Sequence, residues 1–128
     1  MARREVLEIP GLSHGSNPIP VAVKIGPLLV TGTISGTDPE TKTAPPDAKA
    51  QIAMAFSNVR RVLERGGAGP ENVAKVDVAL RDLAHREIVN REWVKMFPDV
   101  HDRPVRHTSK SELPGNLLIQ MEITAVLG

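Results

Sequence analysis

The sequence contains no cysteine and no tyrosine, and its Phe and Trp residues are limited to Phe56, Trp93 and Phe97. The absence of cysteine excludes a disulfide scaffold, a thiolate nucleophile and a cysteine-based metal site. Three such rings are too few for the stacking surfaces on which proteins bind nucleic-acid bases. The chemistry of this chain must therefore come from charged, hydroxyl and amide side chains.

An excess of charge of either sign is also lacking, since 16 Lys and Arg are balanced by 15 Asp and Glu, a formal net charge of +1. Such neutrality gives no long-range field that attracts nucleic acid or a membrane surface. No apolar run approaches the roughly 20 residues of a membrane-spanning helix, and none follows the charged segment 1–5 as it would in a signal peptide. We therefore expect a soluble, cytoplasmic protein that binds neither nucleic acid nor membrane.

The 128 residues, of which 41% are hydrophobic and 24% charged, are typical of one globular domain spanning residues 1–128. Alternating and β-branched segments predict six strands, at 4–9, 21–25, 28–34, 72–82, 105–111 and 117–126. Apolar residues at helical spacing predict helices at 47–65 and 84–97. The order β-ββ-α-β-α-ββ predicts an α+β fold in which both helices cover one face of a mixed sheet. Because the strand at 117–126 is apolar on both faces, we expect an oligomer to cover the other face.

Two charged residues stand out as candidates for catalysis. Glu122 lies in a strongly apolar strand, where a carboxylate is costly unless its oxygens are satisfied. It is either half of a structural ion pair or a pocket carboxylate that orients and deprotonates a water. Arg106 shares one strand face with Thr108, whereas His107 points to the other. Arg106 is either an exposed surface residue or a two-pronged clamp for a substrate carboxylate.

Other polar residues have weaker patterns. The four histidines form no ligand spacing, so we expect no metal site, although His107 remains a candidate general base because histidine exchanges protons near neutral pH. Thr31-Gly32-Thr33 offers a hydroxyl and exposed backbone at the end of a strand, or is simply a β-branched strand residue beside a bulge glycine.

Several short motifs follow one another in an order that covers nearly the whole chain. They are Gly26-(x4)-Thr31-Gly32, Asp38-Pro39-Glu40-Thr41, the helix end at 58–67, Val73-Ala74-Lys75-Val76, Val89-Asn90-Arg91-Glu92-Trp93, Arg103-Pro104-Val105-Arg106, Leu113-Pro114 and the strand at 119–125. Together, these motifs resemble the RidA (YjgF-like) family of reactive-intermediate deaminases.

The resemblance implies a chorismate mutase-like fold and a homotrimer with active sites at the subunit interfaces. It implies hydrolysis of reactive enamines and imines, such as 2-aminoacrylate, to 2-keto acids and ammonia without a metal or organic cofactor. In that family, Arg106 would bind the substrate carboxylate and Glu122 would position the water. The substrate-binding positions implied in the same way are Ile19, Thr31, Gly32, Asn90 and Thr108.

The chain also departs from the family pattern. Ile19 lies near the position of a common tyrosine, Thr108 replaces a cysteine, and the segment from the arginine to Leu113 is one residue shorter than usual. Ser13-His14-Gly15 and Arg106-His107-Thr108 are similar to motifs of 2-aminomuconate deaminases of aromatic catabolism, which are therefore an alternative. A non-catalytic binder of small carboxylate metabolites is an alternative from another functional class.

Overall fold

The computed structural model describes residues 3–128; Met1 and Ala2, in the segment for which the sequence predicts no signal peptide, lie outside the described residues. Within residues 3–128 the strands and helices follow one another in the order given by these bounds: β1 Arg4–Leu7, β2 Ala22–Ile25, β3 Leu28–Thr31, β4 Ile34–Ser35, α1 Ala48–Arg65, β5 Val73–Leu80, α2 Arg86–Met96, β6 Val105–Lys110 and β7 Ile119–Val126. One-turn 3-10 helices precede β5 and α2, so the second predicted helix begins two residues later than expected.

The strands form a single mixed sheet in the order β1-β2-β3-β7-β5-β6, with the short β4 pairing β7 beyond the end of β3. Only β5 and β6 run parallel among the paired strands of residues 3–128. Both helices pack on one face, here called the inner face, and the predicted α+β architecture is confirmed. None of the helices in this part of the chain is long and apolar enough to cross a bilayer.

The prediction of one continuous strand at 28–34 is wrong, and the described chain has seven strands rather than six. The backbone leaves the ladder at Gly32 and Thr33 because a side chain takes over a ladder hydrogen bond. The Ile123 N–H donates to the Thr31 hydroxyl oxygen (2.9 Å), and that hydroxyl donates to the Gly32 carbonyl (2.7 Å). The break therefore lies opposite Ile123 and its neighbour Glu122.

The core lies between the helices and the inner face of the sheet. Asp47 begins α1 by accepting a hydrogen bond from the Ala50 N–H (3.0 Å). Along the helix, apolar residues at helical spacing are fully buried, among them Ile52, Phe56 and Leu63. The inner face of β7 contributes the buried residues Ile119, Met121, Ile123 and Ala125. This alternation fixes the register of β7, since a one-residue slip would bury Glu122.

The opposite, outer face of the sheet is not covered by any part of residues 3–128. On its β1–β2–β3 side it is apolar, because the register places four large, solvent-exposed side chains there: Val6, Ile25, Leu28 and Val126. The expectation that β7 is apolar on both faces is wrong, since its outer residues include Gln120, Glu122 and Thr124. Most of the apolar outer surface comes from the N-terminal strands instead.

Gln51 joins two loops to α1 and provides a test of what holds this end of the fold. Its side chain is fully buried, and it donates to the carbonyls of Pro45 (2.9 Å) and Asn116 (3.2 Å) while accepting from the Leu118 N–H (2.6 Å). Gln51→Leu leaves these three backbone groups without partners, so we expect the melting temperature to fall by about 10 °C. Lys49→Leu, an exposed change on the same helix, is the control, and equal melting temperatures for the two variants would contradict the prediction.

Candidate active site

Arg106 is held at the sheet edge by two residues of α2. Its Nη2 donates to Asn90 Oδ1 (2.7 Å), and its guanidinium carbon lies 4.9 Å from the centre of the Trp93 ring. Trp93 is itself fixed by an edge-to-face contact with Phe97, with ring centres 4.7 Å apart. Arg106, Asn90 and Trp93, here called the Arg106 cluster, therefore present an oriented guanidinium on a rigid support.

The charge of Arg106 has no anionic partner within residues 3–128, since no carboxylate there lies within ion-pair distance of it. Burial, and to a smaller extent the positive charge of Arg86, lower the pKa of the Arg106 guanidinium from its ordinary value. An arginine nevertheless keeps its charge throughout the physiological range. A half-buried cation that is partly desolvated and unpaired is a suitable binding group for a small anion.

Glu122 belongs to a second group of charged residues, on the outer face of the sheet. The register places Asp77 of β5 directly beside Glu122 on one side and beside His107 of β6 on the other. The Nδ1 atom of His107 and the Nζ atom of Lys75 each lie 3.7 Å from Asp77 Oδ1. We call Glu122, Asp77 and His107 the Glu122 row.

The Glu122 row lines a depression of about 260 Å³. Thr33, at the break between β3 and β4, forms part of its wall, together with Gln120 and Ser109. The three residues of the row do not converge into a metal-ion site, and no other group of such ligands does so in the part of the chain that the structure describes. The depression therefore offers two carboxylates and an imidazole next to two hydroxyl side chains and an amide.

The Arg106 cluster and the Glu122 row lie on opposite faces of the sheet. Arg106 and Thr108 alternate with His107 along β6, and Arg106 faces α2 on the inner side while His107 faces outward with Asp77. Within a single chain the sheet therefore separates the two residues that the sequence pairs in catalysis.

The remaining predicted positions are dispersed. Asn90 joins Arg106 directly, and Thr108 shares its strand face. The Thr31 hydroxyl already has two backbone partners, Ile123 and Gly32, at the edge of the break. Ile19 is 54% exposed and lines a different cavity, of about 710 Å³, next to Arg65.

Sequence reasoning missed Asp77, which lines the depression with Glu122 and Thr33. Asp77 carries the same signal as Glu122, because it is an acidic residue inside the apolar strand Val73–Leu80. The sequence indicated Thr33 as part of a motif at the end of a strand, but it did not show that Thr33 lies beside Glu122. Its position depends on the hydrogen bond between Thr31 and a strand far away in the sequence.

Comparison with known proteins adds to this geometry. The profile of a family described as Endoribonuclease L-PSP matches residues 17–127. The chain is similar to a RutC family protein from Aquifex aeolicus (strain VF5), at 35% identity over 116 residues, covering 85% of this chain and 92% of that protein. It is similar to the 2-iminobutanoate/2-iminopropanoate deaminase of Escherichia coli (strain K12), at 26% identity over 111 residues, covering 85% and 87%. The crystal structure of RidA from the Antarctic bacterium Psychrobacter sp. PAMC 21119 superposes with a TM-score of 0.87 at 23% identity, covering 96% of this chain and 99% of that one.

Proposed function

Because the chain belongs to the family described as Endoribonuclease L-PSP, which includes the RidA and YjgF proteins, we propose that it hydrolyses small 2-imino acids to 2-keto acids and ammonia. The observation that carries the proposal is the unpaired guanidinium of Arg106, oriented by Asn90 and supported by Trp93. Such a group binds a carboxylate with two parallel hydrogen bonds. The name of the E. coli relative supplies the reaction, and 2-iminopropanoate, the tautomer of 2-aminoacrylate, is the substrate we favour.

The proposed active site is composite and the proposed assembly is a homotrimer. Each site takes the Arg106 cluster of one chain and the Glu122 row of the next, since the sheet keeps the two groups of one chain apart. The uncovered apolar side of the outer face, where Val6 and Val126 are 51% and 48% exposed, supports self-association. Association that covers this face also narrows the depression beside Glu122 into a closed cleft.

The proposed reaction needs few groups. Arg106 fixes the substrate carboxylate, which places the imine carbon over the Glu122 row. As the water oxygen bonds to that carbon, the Glu122 carboxylate accepts a proton from the water and the imine nitrogen gains a proton, giving a carbinolamine. As the C–N bond breaks, the nitrogen takes up the proton held by Glu122 and the hydroxyl group loses its own, so that ammonia and the 2-keto acid leave. Positioned general-base catalysis contributes about 10²- to 10⁴-fold, which is sufficient for substrates that already hydrolyse in water.

The activity is tested with 2-aminoacrylate released from serine by a dehydratase in the same cuvette. We expect the protein to raise the rate of pyruvate and ammonia formation from this intermediate above the spontaneous rate. If the protein bound 2-keto acids without accelerating the appearance of pyruvate, it would be a carboxylate binder and the proposal would be wrong.

The composite site is tested by coexpressing Arg106→Ala and Glu122→Gln chains in equal amounts. Each variant alone should be nearly inactive, but in random trimers about a quarter of the sites combine an intact Arg106 with an intact Glu122. We therefore expect the mixture to recover about a quarter of the parent activity, measured as pyruvate formed per site.

The control is a mixture of the parent chain with the double variant Arg106→Ala/Glu122→Gln. A composite site again predicts about a quarter of the all-parent activity, whereas a site within one chain predicts about half. No recovery in the first mixture together with half activity in the second would show that the catalytic groups act within one chain.

A further inference from the structure

We infer that His107, held beside Asp77 on the outer face, donates the proton that the imine nitrogen needs, while Glu122 accepts the proton from water. This inference deepens the proposed function and rests on it. It assigns the acid and the base of one reaction to two ends of the Glu122 row. Asp77, between them, is a positioning residue rather than a catalytic one.

The register of three neighbouring strands carries the inference. Asp77 is paired with His107 across the parallel β5–β6 ladder and with Glu122 across the antiparallel β5–β7 ladder. All three side chains point to the outer face and line the same depression of about 260 Å³. Adjacent strands lie about 4.8 Å apart. His107 and Glu122 lie two strands apart, one on each side of Asp77, so a small planar substrate fits between them.

A carboxylate and an ammonium group lie close to His107. Asp77 Oδ1 lies 3.7 Å from its Nδ1, and Lys75 lies at the same distance from that oxygen. From the neighbouring strands, the charged groups that face His107 are Asp77 and Lys75 of β5 and, one strand further, Glu122 of β7. The side chain of His107 is 71% exposed in the single chain, so its Nε2 is free to reach a bound molecule.

The row is not explained by stability. Asp77 and Glu122 are like charges placed directly opposite each other in an antiparallel ladder, an arrangement that is destabilising. Neither carboxylate is buried, and the ion pairs of Asp77 are partly exposed and long, which gives them little stabilising value. An arrangement that costs stability and lies in a depression is typical of a functional site.

The proton transfers balance over one turnover. The protonated His107 gives its proton to the imine nitrogen, and water attacks the carbon while Glu122 takes a proton from it, forming the carbinolamine. Protonated Glu122 then passes that proton to the amine nitrogen, and His107 takes the hydroxyl proton as the C–N bond breaks and the C=O bond forms. Ammonia and the 2-keto acid leave, and both side chains return to their starting states.

The experiment compares His107→Gln with the matched variant His101→Gln, which makes the same change in an exposed loop away from the sheet. Turnover of 2-aminoacrylate is measured from pH 5 to 9 against the spontaneous rate. His107→Gln should lower kcat by about tenfold near neutral pH, since glutamine donates no proton and solvent replaces the donor only in part. The dependence of kcat on pH reports the groups that transfer protons, so its shape should change in His107→Gln. His101→Gln should keep the parent kcat and the parent pH profile.

Asp77 is tested by a conservative pair of variants. Asp77→Asn should lower kcat with little change in KM, and Asp77→Glu should restore much of the loss. Equal loss in both variants, with a lower melting temperature, would mean that Asp77 only supports the fold.

Two different failures are distinguishable. If Glu122→Gln is inactive but His107→Gln keeps the parent kcat and the parent pH profile, the role of His107 is wrong and the proposed function stands. If the parent protein accelerates the reaction and Glu122→Gln is as active as the parent, the proposed function stands and the division of acid and base between His107 and Glu122 is wrong. If the parent protein does not accelerate the reaction, the proposed function fails and the role of His107 fails with it.

Discussion

Glu122→Gln should fold and assemble like the parent protein and lose imine hydrolysis by about two orders of magnitude or more. Gln nearly matches Glu in shape and still accepts a hydrogen bond, but it takes no proton from water near neutral pH. Glu122 is exposed on the outer face and forms no ion pair within residues 3–128. Removing its charge also removes the repulsion with Asp77 across the ladder, so the melting temperature should stay the same or rise slightly.

The alternative interpretation, in which Glu122 forms a structural ion pair, predicts the opposite effects of Glu122→Gln on stability and on turnover. A structural partner would make the Gln variant less stable and leave its turnover nearly intact. Measuring the melting temperature and the rate of pyruvate formation on one preparation decides between them. Glu64→Gln, an exposed change on α1, controls for the loss of one negative charge. A destabilised but fully active Glu122→Gln protein would remove Glu122 from the mechanism.

Arg106→Lys should bind 2-keto acids and turn over 2-imino acids about 10- to 150-fold less well, the equivalent of a lost charge-assisted hydrogen bond. Lysine keeps the positive charge, but it lacks the planar fork that donates to Asn90 and to a carboxylate at the same time. It also loses the stacking of the guanidinium on Trp93. The affinity for 2-oxobutanoate and kcat/KM for 2-aminoacrylate measure the effect.

A pH dependence separates this variant from the parent protein. The burial and the neighbouring Arg86 that lower the pKa of Arg106 would act in the same direction on a lysine at this position, whose ordinary pKa is about 10.4. The residual activity of Arg106→Lys should therefore decline at a pH at which the arginine of the parent protein still keeps its charge. Arg91→Lys, on the exposed side of α2, is the control. Parent-like kinetics in Arg106→Lys would show that Arg106 is a surface residue without a role in binding.

The sequence determined the elements of this protein, because they depend on local physical rules. The spacing of apolar residues from Ile52 to Leu63 places them on one face only if the segment is a helix. The strict alternation of β7 does so only if the segment is a strand. The same alternation predicted that His107 points away from Arg106. The catalytic candidates were also visible in the sequence, since a carboxylate in an apolar strand is conspicuous wherever the strand lies in the sheet.

The tertiary structure decided what these residues can do together. The glycine at position 32 indicates an irregular strand, but the break there depends on a hydrogen bond that the Ile123 N–H, 92 positions later in the chain, donates to Thr31. No local pattern predicts that partner. The row formed by Glu122, Asp77 and His107 depends on the strand order β7-β5-β6, in which β7 pairs with β5 and not with β6, the strand that precedes it in the sequence. For the same reason, only the fold shows that Arg106 and Glu122 lie on opposite faces. Strand order depends on how all the strands and helices pack together to bury the core, and no single segment of the sequence carries that information.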